Sequence, residues 1–123
     1  MNCPFCQIPE DKIIGENQHF FAIWDIHPIS QGHCLIISKR HAEDFFALTP
    51  EEASSLHALA QEVRELLAAK YQPKGFNLLM NCGVSAGQSV FHFHLHIMPS
   101  YGGVMSGLKN IGRSLMQKFS GAL

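Results

Sequence analysis

Val90-Phe91-His92-Phe93-His94-Leu95-His96-Ile97-Met98 is the stretch on which the reading of this chain turns. In an extended strand successive side chains alternate between faces. His92, His94 and His96 then project to one side and Phe91, Phe93, Leu95 and Ile97 to the other, which gives one imidazole face and one core face. Three imidazoles spaced about 6–7 Å apart are costly to bury for packing alone, so this face is expected to carry chemistry. Neutral imidazole ligates metals, accepts protons and attacks phosphorus, and an ordinary pKa of about 6.5 keeps all three in reach at neutral pH. Pro99 is expected to end the strand.

Upstream, Cys82-Gly83-Val84-Ser85-Ala86-Gly87-Gln88-Ser89 reads as a loop of small residues whose amides and hydroxyls suit a phosphate. Gly75 to Asn81 reads as a strand before it. Thr49-Pro50-Glu51-Glu52 combines an N-cap residue, a proline at the first helical position and a glutamate at the third, so a helix begins there. Leu56, Leu59, Val63, Leu66 and Leu67 give it a core stripe through about Lys70, and Pro73 ends it. Nearer the N-terminus, Ile13–Gly15 and His19–Trp24 are expected to form a hairpin around Glu16-Asn17, Asp25–Gly32 is loop, and His33–Ser38 is a third strand closed by Lys39-Arg40-His41. Strands on both sides of one strong helix predict an antiparallel α+β domain.

Composition narrows the function classes. The chain has 123 residues, 46% hydrophobic and 15% charged, with a formal charge of −1, which fits one domain and gives no field toward nucleic acid. No apolar run approaches the roughly 18 residues of a spanning helix and no signal peptide is apparent, so a cytoplasmic protein without membrane insertion is expected. Of the four cysteines, Cys3-Pro4-Phe5-Cys6 reads as a metal or redox pair, whereas Cys34 and Cys82 read as small buried hydrophobes. His19 and His57 read as surface or packing histidines. Residues 104–123 form a basic amphipathic tail in which Leu108, Ile111, Leu115 and Phe119 make an apolar stripe. The stripe is expected to pack on the domain or on a second subunit, with a partner or a membrane surface as the alternative.

Gly87 to Met98 resembles the signature of the histidine triad (HIT) family, His-φ-His-φ-His-φ-φ with φ apolar. Cys3-Pro4-Phe5-Cys6, Trp24-Asp25-Ile26-His27-Pro28, Gly32-His33 and Lys39-Arg40-His41 extend the likeness over residues 3–101, in the manner of zinc-containing bacterial members of the Hint branch. The resemblance implies a HIT domain over residues 1–103: a five-stranded antiparallel sheet with one long and one short helix, two subunits joining sheets as a homodimer. It also implies hydrolysis or transfer at the α-phosphorus of a purine nucleoside phosphate derivative, with a phosphoramidase as the leading form. An asymmetrical dinucleoside polyphosphate hydrolase and a non-catalytic nucleotide-sensing or scaffold protein are the alternatives.

Carried over residue by residue, the resemblance makes His94 the nucleophile of a nucleotidyl-histidine intermediate, with His96 and Ser89 on phosphate oxygens and His33 supporting the triad. Phe5, Ile8, Ile23 and Ile26 would enclose the base, Asp25 would hold the ribose hydroxyls, and Asn81, Gly87, Gln88, Ser89 and Val90 would complete the nucleotide site. Cys3, Cys6, His41 and His92 would form a structural Zn2+ site. Two positions depart from the pattern. His27 stands where relatives more often carry Asn or Ser, and Ser100 stands where many bacterial members have Arg, so that position offers no grip on a second phosphate.

Overall fold

A computed structural model describes residues 3–119, with side chains through residue 117. Five strands, β1 (Ile13–Glu16), β2 (Phe20–Trp24), β3 (Cys34–Ser38), β4 (Gly75–Leu79) and β5 (His94–Ser100), form one antiparallel sheet in the order β1-β2-β3-β5-β4. Helix α1 (Pro50–Tyr71) connects β3 to β4, and α2 (Val104–Phe119) follows β5.

The β1–β2 hairpin turns on Asn17, whose Oδ1 accepts from the backbone N–H groups of His19 and Phe20, the local side-chain bond that favours Asn in turns. Gly32, at φ 88°, closes the loop before β3, where an added Cβ would lie 3.0 Å from Tyr71 Cδ2; only glycine fits the backbone and the space.

Helix α1 opens with the expected capping box: Thr49 Oγ1 accepts from Glu52 N at 3.1 Å, and Glu52 Oε1 accepts from Thr49 N at 2.9 Å. Leu56, Leu59, Val63 and Leu67 are buried against Phe20, Ala22, Cys34, Ile36, Leu95 and Ile97 of the sheet. Burying each such side chain contributes about 1.5–3 kcal/mol. Leu66, expected in the stripe, lies at its margin and is 38% exposed. Glu52 does a second job, because Arg40 grips its carboxylate through Nε at 2.9 Å and Nη2 at 2.8 Å. That pair, with the Thr49 backbone bond, pulls the Glu52 pKa down to about 2 and ties the turn that carries His41 to the start of α1.

The last strand differs from the expected one at both ends. It begins at His94, because residues 90–93 bend across the sheet, with Phe93 N donating to Ala42 O at 2.7 Å. The alternation of faces therefore starts at Phe93, which is in the core, and Phe91 is left 40% exposed. At the other end the strand runs through Pro99. Cys34↔Ile97 is the last pair with β3, so Pro99 lies where one side of β5 is already free of its neighbour and a missing N–H breaks no ladder bond there. Its carbonyl accepts from Asn110 Nδ2 of α2 at 3.1 Å.

Helix α2 packs on β4 and β5, and the expected stripe serves only in part: Ile111 and Leu115 are half-buried, with Leu115 beside Gly87. Among its described side chains the fully buried ones are Asn110 and Ser114, whereas Leu108 is 59% exposed. The reason is a polar seat: Asn110 Nδ2 also donates to Asn77 Oδ1 at 3.1 Å, and Gly107 rests on the same Asn77 side chain. The Phe119 side chain lies outside the described residues. Cys34 is fully buried as expected, with its thiol pushed up to about 12 by burial, whereas Cys82 is only half-buried. His57 is exposed, and His19 reaches Glu51 at 3.4 Å.

Candidate active site

The face of the sheet opposite α1 carries Phe21, Ile23, Leu35 and Ile37, roofed by Phe5 from the N-terminal segment. His94 and His96 stand on this face beside Ile37 and Leu35. Next to them is an apolar cavity of about 380 Å³. Phe5, Ile8, Ile23, Asp25, Ile26 and Val90 line it, and so do Pro4, Trp24, His27 and Leu35, which sequence reasoning did not single out for the site. Alternation along β3 was the usable signal for Leu35, since Leu35 and Ile37 share the face opposite Cys34 and Ile36.

Backbone partners define the histidine protons. His94 Nδ1 lies 2.9 Å from the His92 carbonyl oxygen, which can only accept, so Nδ1 carries the proton and Nε2 keeps its lone pair. The Phe5 ring centroid is 4.9 Å from that of His94. His33 is wired in the opposite sense. Its Nδ1 accepts from Ile29 N at 3.0 Å, so the proton is on Nε2, which faces His96 Nδ1 at 2.9 Å and Asp25 Oδ2 at 3.3 Å. With His33 donating to its Nδ1, His96 carries its own proton on Nε2. Burial lowers the His33 pKa, against an upward pull from the Asp25 carboxylate, so the imidazole is neutral at pH 7. Asp25 is itself buried and accepts from His27 N at 2.8 Å, so the residue expected on ribose also belongs to the histidine network.

The 83–89 loop is held from within. Gln88 is buried, with Oε1 accepting from Gly83 N at 2.7 Å and Nε2 donating to the carbonyl oxygens of Glu43 and Val90. In this arrangement Gln88 shapes the loop, and its amide is already engaged within the protein. Gly87 has φ 99°, and a Cβ there would sit 3.5 Å from Asn81 Nδ2. Ser89 is exposed at the loop's end.

The structure brings Cys3, Cys6, His41 and His92 together from three parts of the chain. Each thiol sulfur lies 3.3–3.6 Å from each of the two Nδ1 atoms, which are 3.1 Å apart. A tetrahedral zinc with bonds of about 2.0–2.3 Å separates its ligand atoms by about 3.3–3.8 Å, so the donor set fits that ion in type and the sulfur–nitrogen distances fit it in spacing, with the two Nδ1 atoms slightly closer. His92 Nε2 donates to Ser38 O at 2.7 Å, which aims the Nδ1 lone pair at the other three donors. Burial also lowers the His92 pKa and favours the neutral, ligating ring.

Comparison with known proteins bears on the whole arrangement. A family model described as HIT domain matches residues 7–103. An uncharacterized 16.1 kDa HIT-like protein of Mycoplasma pneumoniae is 40% identical over 104 residues, covering 81% of this chain and 72% of that one. A HIT family protein of Bacillus anthracis, solved by crystallography, superposes with a TM-score of 0.76 at 38% identity, covering 94% of this chain and 96% of that chain. A HIT family hydrolase from Clostridium thermocellum gives 0.68 at 33% identity, with 83% and 93% covered. An AP-4-A phosphorylase of Mycobacterium tuberculosis is 30% identical over 117 residues, 90% of this chain and 60% of that protein. The chain belongs to the HIT domain family, and its five-stranded antiparallel sheet with two helices is the fold of these neighbours.

Proposed function

We propose, with membership of the HIT domain family as the premise, that this chain is a nucleotide hydrolase or phosphoramidase acting at the α-phosphorus of purine nucleoside monophosphate derivatives. The observation that carries the reading is the His94 hydrogen bond to the His92 carbonyl, which fixes the tautomer with the proton on Nδ1 and the lone pair on Nε2, on the sheet face that also bears the apolar cavity. The cavity takes the nucleoside, with Phe5, Ile8, Ile23, Ile26 and Val90 about the base and Asp25 at the ribose. Asn81, Gly87 and the loop shaped by Gln88 present backbone groups and the Ser89 hydroxyl to the phosphate. His94 Nε2 attacks phosphorus as the P–N or P–O bond to the leaving group breaks, and the leaving group takes up a proton with help from Ser89. Water then cleaves the nucleotidyl-histidine and restores the lone pair. His96 holds a phosphate oxygen through its Nε2 proton, and His33 fixes His96 in that tautomer.

Cys3, Cys6, His41 and His92 would hold a structural Zn2+, which when bound fastens the N-terminal segment that carries Phe5 over the cavity. A homodimer is part of the reading. β4 is an edge strand with Leu78 55% exposed, a surface that a second copy's β4 would cover. Among the described residues no helix is long and apolar enough to cross a membrane. A second reading, cleavage of dinucleoside polyphosphates, is favoured by the likeness to the AP-4-A phosphorylase.

Intact-mass measurement after a rapid acid-free quench with an adenosine phosphoramidate tests the mechanism. An adduct of one nucleotidyl group on the wild type and none on His94→Ala is the expected result. Tight AMP binding with neither adduct nor turnover would replace the enzyme with a nucleotide sensor.

A further inference from the structure

Helix α2 carries Lys109 and Arg113 on one face, one turn apart, and has no acidic residue. Both line a second cavity, of about 560 Å³, whose opposite wall is Ser30 and Gln31 of the loop before β3. Among the described residues no carboxylate lines this trough. Among the described residues neither cation has an ion-pair partner, in contrast to Lys39 and Arg40, which are paired at 2.8 Å with Glu16 and Glu52. Among the described residues the hydroxyl oxygen of Ser30, a residue of the facing wall, is buried without a hydrogen-bond partner. Two like charges at this helical spacing repel each other, a cost that an anion lying between them reverses.

Both walls are fixed. Asn110 anchors α2 to Asn77 and Pro99, and Tyr101 Oη donates to Gln31 O at 2.8 Å. The trough also leads to the histidines. Ile29, beside Ser30, donates to His33 Nδ1, and Gln117 Nε2 of α2 donates to the carbonyl of His27, a residue that lines the nucleoside cavity. Charges about 6 Å apart along a helix suit a group with several anionic oxygens, such as a phosphate or a pyrophosphate, better than a single carboxylate.

We propose that the trough between α2 and the 29–31 loop is an anion subsite in which Lys109 and Arg113 take a phosphate-bearing group. The group comes either from the leaving half of the substrate or from a separate phosphorylated ligand. The first source deepens the functional reading given above and rests on it; the second does not.

Calorimetry with inorganic pyrophosphate on protein saturated with AMP reads the subsite directly. Turnover of an adenosine phosphoramidate and of diadenosine tetraphosphate reads its use. In K109A/R113A pyrophosphate binding is expected to weaken tenfold or more, while R64A, which removes one charge on the opposite face of the sheet, leaves it in place. A tenfold or greater fall in the ratio of kcat/KM for the tetraphosphate over that for the phosphoramidate assigns the subsite to the leaving half. An unmoved ratio with pyrophosphate binding lost assigns it to a separate ligand. Absence of pyrophosphate binding to the AMP-saturated wild type, together with an unmoved ratio, overturns the proposal. Should the wild type turn over neither nucleotide, the catalytic reading fails, and the calorimetry still decides the subsite.

Discussion

Cys3, Cys6, His41 and His92 on one side of the triad, and Asp25, His33 and His96 on the other, are both clusters of metal-ligating residue types within a few ångströms. They are wired in opposite ways. In the first, His92 spends its donor on the Ser38 carbonyl and turns its lone pair toward two thiols and a second imidazole. In the second, the Ile29 amide occupies His33 Nδ1, and the remaining donor is spent within the cluster on His96 and Asp25. The first leaves lone pairs converging on one point, which suits a cation; the second leaves a chain of hydrogen bonds, which suits proton placement. Residue type alone does not separate a clasp from a relay, and the backbone partner of each ring does.

The contrast breaks most visibly if the two sides have interchangeable effects on turnover. His94→Ala is expected to lower turnover by about 10³-fold or more, measured by release of AMP, while Cys6→Ser keeps turnover within about tenfold. An equal loss in both would merge the two regions into one catalytic unit. Next in size is thermal stability. Chelator treatment or Cys6→Ser should lower Tm by upwards of about 5 °C in a thermal melt, and His94→Ala should not.

Asp25→Asn sharpens the relay side. The His33 tautomer is set by the Ile29 amide whether or not the carboxylate is present, so kcat should fall by about 10- to 100-fold, as for a supporting partner and not for a nucleophile. A fall as deep as that of His94→Ala in single-turnover measurements would give Asp25 a direct part in the chemistry.

The smallest effect is in the pH dependence of stability. His33 has its pKa lowered from 6.5 by burial, so the unfolded chain binds its proton first and stability falls as pH drops below about 6.5. Glu52, lowered from 4.5 to about 2 by Arg40, adds a second loss that begins near pH 4.5 and completes near 2. Denaturant titrations across pH should show both steps in the wild type and only the upper one in Glu52→Gln.

Much of this was legible in the sequence because its signals are local. The capping box at Thr49, the alternation in Phe93–Ile97 and the turn at Asn17 each depend on neighbours a few residues away. The departures are long-range. Residues 90–93 leave the strand in the stretch where His92 reaches Cys3 and Cys6, more than 80 positions upstream. Pro99 stays in the sheet because β3 ends first, and α2 turns Asn110 and Ser114 inward because Asn77 and the Pro99 carbonyl give it polar seats. Asp25 and His33 could be named from the sequence, but their mutual contact depends on the loop between them folding back at Gly32. Lys109 and Arg113 share a site with Ser30 and Gln31, which lie about 80 positions upstream, and no local pattern announces that pairing.

Helix α2 follows directly on the stretch matched by the family model and touches the rims of the site without supplying a triad residue: Leu115 lies against Gly87, and Gln117 holds His27. For protein engineering this makes residues 104–119 an exchangeable cassette. On the proposed function, grafting the equivalent helix from a relative, or recoding its Arg113 face, would alter what the site admits, and no triad histidine or thiol lies on the exchanged segment. Libraries aimed at new leaving groups would start from this helix and leave β5 untouched.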